Sequence, residues 1–113
     1  MNNFTNKRLC LPVAVPASSS VTIYTVPANT VTIISVLTYA HTAPASGSIN
    51  TSLYLCPNDV PPSASNALLY DIPVDPDNVV NFNFGQAIHE TDTIKVVSNM
   101  AGLVLHVTGI EIT

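Results

Sequence analysis

The chain has 113 residues, 47% of them hydrophobic and 9% charged, with three lysines and arginines against seven aspartates and glutamates and a net charge of -4. That length suits one domain with one modest core, and so apolar a composition argues against disorder. Three cations are poor footing for binding a phosphate backbone, and no apolar run approaches the roughly 20 residues of a membrane-spanning helix.

Nine prolines and four glycines punctuate short runs dominated by β-branched residues. This is the pattern of an all-β chain, and helical periodicity of useful length is not seen. The expectation is an antiparallel β-sandwich, jelly-roll-like, of about eight strands.

The first segment, Met1 to Ser19, reads as an extended arm and linker, and residues 20–113 read as the sandwich domain. Lys7 and Arg8 precede an apolar run broken by Pro12 and Pro16, too short and too interrupted for a secretory signal. Pro12 lacks the ladder donor, so Arg8 to Val15 is either an edge strand of its own domain or an arm that reaches a neighbour. In the second case Lys7, Arg8, Leu9 and Leu11 are the candidate contact residues, because an added edge strand binds through its backbone and its alternate side chains.

Val21 to Ala40 holds two β-rich runs around Pro27–Ala28–Asn29–Thr30. Proline presets φ for a turn and asparagine tolerates the left-handed region, so the two runs are expected to form a hairpin at the centre of the sandwich. The second run is apolar on both faces, as in a strand covered on both sides. Further strands follow at Ile49 to Leu55, Ala67 to Ile72, Val80 to Phe84 and Thr93 to Ser98. The last, Leu103 to Ile112, changes parity near Thr108 and Gly109, where a bulge would keep its apolar residues on one face.

The residues that could carry chemistry do not assemble into a motif. His41, His89 and His106 have no ligand partner at zinc or facial-triad spacing. Asp71, Asp75 and Asp77 share a turn but lack the spacing and the terminal glutamate of a calcium loop. Ser18 to Ser20 is a small-residue linker, and no G-x-S-x-G, P-loop or dinucleotide fingerprint is present. Catalytic residues, metals and cofactors are therefore expected to be absent. Tyr24, Tyr39, Tyr54 and Tyr70 are candidate interface aromatics, or a glycan-binding face.

Two stretches, IYTVPANTVTIISVLTYAHT and DTIKVVSNMAGLVLHVTGIEI, resemble the small β-sandwich virion proteins of tailed bacteriophages. The matching residues are Val26 to Thr30, Asp92 to Ile94 and Val107 to Ile112. These motifs are structural, a turn and a closing strand, and the resemblance supplies no catalytic residue. It implies a non-enzymatic virion protein located in the particle and assembled in the host cytoplasm. The leading expectation is a capsid decoration or cement protein that binds the major capsid protein lattice or other virion proteins as a homo-oligomer, a trimer being favoured. The alternatives are a neck, tail or fibre component, or a glycan-binding module. Cys10 and Cys56 are then expected to be free thiols.

Overall fold

The computed structural model describes residues 3–9, 13–42 and 47–113. Nine strands form: β1 (Phe4–Arg8), β2 (Val13–Val15), β3 (Val21–Thr25), β4 (Val31–His41), β5 (Ile49–Cys56), β6 (Ala67–Val74), β7 (Val79–His89), β8 (Thr93–Ser98) and β9 (Leu103–Ile112). The helical content among the described residues is two single 3-10 turns, Pro57–Asp59 and Ala64–Asn66. The strands lie in two antiparallel sheets, one in the order β1-β9-β4-β7 with β2 also on β9, the other in the order β3-β8-β5-β6.

β1 and β2 both pair with β9, so they act as one interrupted first strand. Renumbered on that basis, the sheets run 1-8-3-6 and 2-7-4-5, which is a jelly roll. The core lies between the sheets. Ile34, Leu37 and Tyr39 of β4 and Leu103, Leu105 and Val107 of β9 face Ile49 and Leu53 of β5 and Ile94 and Val96 of β8.

This topology corrects the expected hairpin. β3 pairs with β8 and β4 pairs with β7 and β9, so the TVPANT segment carries the chain from one sheet to the other. The local turn chemistry is as read, with Asn29 at φ 57° and the Thr30 hydroxyl donating to the Ala28 carbonyl. A turn motif fixes the direction change but not the pairing partner. The same segment is sealed to the β7–β8 connection by Val26 N–H donating to the Asp92 carbonyl, 3.1 Å, and by Asn29 N–H donating to Glu90 Oε2, 2.8 Å.

The bulge is also displaced. Ile34 and Val36 of β4 face the consecutive Gly109 and Thr108 of β9, so the extra residue is Ser35 on β4. β9 keeps its parity: Leu103, Leu105, Val107 and Gly109 face the core, and Ile110 and Ile112 stay half-buried on the outer face. Gly109 is required for space. A Cβ there would lie 2.4 Å from the Ile33 carbonyl oxygen and 2.8 Å from Leu9 Cδ1.

In this structure β1 and β2 lie along β9 of their own chain. β1 is exposed along its whole length, whereas Leu9 and Val15 belong to the core. Within the segment read as an arm and linker, Phe4–Arg8 and residues 16–19 bury no side chain, while Leu9 and Val15 pack into the sandwich.

Candidate interaction surfaces

Strand ends collect both termini at one end of the sandwich. Asn3 and Thr113 exchange two backbone hydrogen bonds, each 3.0 Å, and the loops after β3, β5 and β7 close beside them. Register places Phe4, Ile112 and Val31 in one cross-strand row and Ile110 and Ile33 in the next. These are on the face of the sheet turned away from the core, and Phe4 is 70% exposed. An open depression of about 400 Å³ lies at the edge of this patch, lined by Asn29, Val31, His89, Glu90 and Ile112 among others.

β1 is fastened by one side-chain clip. Lys7 Nζ lies 3.2 Å from Glu111 Oε1, and the Tyr24 hydroxyl donates to the other carboxylate oxygen. The Thr32 hydroxyl, 2.8 Å from Tyr24 Oη, must then donate to it, since a phenol has one proton to give. The Tyr24 hydrogen bond, followed by the Lys7 ammonium, holds the Glu111 carboxyl below its ordinary pKa against the opposing effect of burial. Burial, then the glutamate, pushes the Tyr24 phenol up. This cluster joins β1, β9 and β4 of one sheet to β3 of the other. Sequence reading missed it, although a signal was present: Glu111 shares the core parity of Leu105 and Val107, where a carboxylate needs partners.

The structure separates the other candidate residues. Arg8 is exposed, and Leu9 is buried against Gly109. Leu11, Cys10 and Pro12 lie outside the described residues. Tyr24 and Tyr39 are core residues, 9% and 0% exposed, which corrects their reading as interface aromatics. Tyr39 packs edge-on against Phe82 at 6.4 Å and its buried hydroxyl meets no well-aligned partner. Burial pushes that phenol up to about 12, with the nearby Thr51 hydroxyl opposing the shift. Tyr54 is half-buried and Tyr70 is 60% exposed, so the four do not form one aromatic face.

His41 ends β4, buried, with Nε2 2.7 Å from the Gly47 carbonyl oxygen, while His89 and His106 are exposed. No group of three or more metal-ligating side chains gathers among the described residues. Asp59 pairs with Lys95 at 2.9 Å and accepts from the Thr93 hydroxyl, which lowers its pKa. Cys56 is a buried free thiol beneath this loop.

No protein-family model and no curated protein sequence matches the chain. Solved structures do. A chain from the structure of infectious bursal disease virus, Gx strain, superposes over 100% of this chain with TM-score 0.59 and 9% identity. A chain of the T13 viral particle of the same virus superposes over 98% with TM-score 0.53 and 8% identity. This chain spans about a third of either viral chain, 32% and 30%. A subunit of the disulfide-linked pili that form Bacillus endospore appendages superposes over 98% of this chain and 88% of its own length, with TM-score 0.51 and 12% identity. At such identities the likeness is one of fold.

Proposed function

We propose that the chain is a non-enzymatic structural protein of a viral particle, and within that class a decoration or cement protein on a tailed-phage head. The observation that carries this reading is the jelly-roll strand order, matched over the whole chain by chains of an icosahedral viral particle. The weakly charged chain, 9% Asp, Glu, Lys and Arg, fits the role, because modest contacts multiply when many copies bind a lattice. The contact face in this reading is the exposed β1 with Lys7 and Arg8, together with the outer apolar row of Phe4, Ile112 and Val31. The partner is the major capsid protein or another virion protein.

One observation favours a second reading, a fibre or tail component. This chain covers 88% of the pilus chain's own length. The glycan-binding reading loses ground, because two of its four tyrosines are in the core. Quantitative mass spectrometry of purified particles tests the proposal. Hundreds of copies per particle support the head, tens or fewer support the neck, tail or fibre, and absence from particles overturns a virion role.

A further inference from the structure

An edge strand offers a row of unpaired N–H and C=O groups, and natural sheets blunt such edges with charge, proline, bulges or short length. The four edges of this sandwich differ sharply in that protection. β1 carries the adjacent cations Lys7 and Arg8 and is followed by the three-residue β2. β3 is five residues long. β6 contains Pro73, and Asp71 within it has φ 52°. β7 is different: eleven residues, VVNFNFGQAIH, without a charge or a proline. Its register with β4 slips once, between Asn83 and Gln86, yet it remains a strand on both sides of the slip. Among the described residues no strand pairs with its outer side.

We propose that β7 is a self-association edge, and that its occupant is β7 of a second copy of this chain. A second copy brings an open edge of the same length, and β7 is the edge of the described sandwich that carries neither charge, proline nor short length, its one protection being the slip between Asn83 and Gln86. Two copies of one strand related by a two-fold axis run antiparallel and joined along their full length, the usual form of a closed homodimer contact. The absence of charge along β7 means that the strand meets no like charge in its copy. The pairing centres near Phe84, the midpoint of Val79–His89, and merges two outer sheets into one. Asn83 is exposed and on the outer face, opposite Val36, so near the axis it approaches its own copy without touching either core. A dimer is thus expected in place of the trimer suggested by sequence resemblance, whatever the particle to which the chain belongs.

Sedimentation equilibrium on the full chain tests this. The wild type should have twice the 11.9 kDa chain mass. Asn83→Lys and Asn83→Asp should each sediment as monomers, since each places like charges across the axis. Mixed together they should restore the dimer, and Arg8→Glu on the opposite edge should leave it intact. Circular dichroism matching wild type keeps misfolding out of the comparison. A monomeric wild type, dimeric single variants, a mixture that stays monomeric, or dissociation by Arg8→Glu would each overturn the proposal.

Discussion

At the scale of single residues, crowding and unpaired polarity make opposite predictions. Gly109 sits under the Ile33 carbonyl and against Leu9, with no room for a methyl group. The Ile33 oxygen belongs to a central strand and cannot withdraw without opening the ladder. Gly109→Ala should therefore destabilise the fold by about 1–3 kcal/mol, the usual cost of overpacking, read as a lower midpoint in urea unfolding. Tyr39 presents the reverse case. Its hydroxyl is buried and unpartnered, so removing it relieves a desolvation cost while keeping the ring on Phe82. Tyr39→Phe should leave the unfolding midpoint unchanged or raise it, and a fall would show that the hydroxyl has a partner in solution.

At the scale of elements, what the sequence exposes is period and punctuation. Strand positions followed from alternation, and Pro12 excluded the first segment from a central strand. Pairing did not follow, because β3 and β4 meet partners far along the chain, Val96 opposite Val21 and Thr108 opposite Val36, 75 and 72 residues away, and no local signal names them. The bulge went to the wrong strand for a related reason. Parity along β9 records only β9, whereas the slip belongs to the pair and lies at Ser35. Glu111 was missed because the bulge expected at Thr108 and Gly109 turned it outward, and its partners Tyr24 and Lys7 come together only through two sheets.

β1 and β2 can be distinguished by deletion. Removing the residues before Leu9 costs a ladder and the Lys7 end of one ion pair, and takes no buried side chain from the core. The shortened chain should remain folded by circular dichroism. Removing those before Ser18 also takes Leu9 and Val15 from the core, and should cost about 2–5 kcal/mol or unfold the domain. Equal stability of the two truncations would mean that β2 does not hold the core. Acid should loosen the same element. Glu111 titrates below its ordinary value in the fold, so its contribution is full above the unfolded glutamate pKa, about 4.3, and is lost as pH falls through the lower folded value. Thermal midpoints measured from pH 6 to pH 2 should drop less steeply for Glu111→Gln than for wild type. Parallel curves would show that the clip does not respond to acid.

For the whole molecule, the interrupted first strand and the last strand are neighbours, and this brings Asn3 against Thr113. Asn3 and Thr113 already share two hydrogen bonds, so a short linker can join the termini without bending either strand. The opposite requirement is a place to open the chain. Connections between the sheets are poor choices, because Val26 and Asn29 are hydrogen-bonded to the β7–β8 connection. The β5–β6 connection is a better one. Its segment Val60 to Ser63 is largely exposed and contains no buried residue, although the turn before it is tied down through Asp59. A permutant beginning at Ser63, with Thr113 linked to Met1, breaks one backbone bond in an exposed loop and leaves both sheet orders unchanged. It should fold to the same circular dichroism spectrum and lose little stability, while refolding faster, since β1, β2 and β9 become near neighbours in sequence and long-range pairing is what slows β folds. Stopped-flow refolding measures this directly. A permutant that folds no faster would place the slow step in the β4–β7 and β5–β8 pairings instead, and one that fails to fold would mean that the β5–β6 connection must be continuous for the second sheet to form.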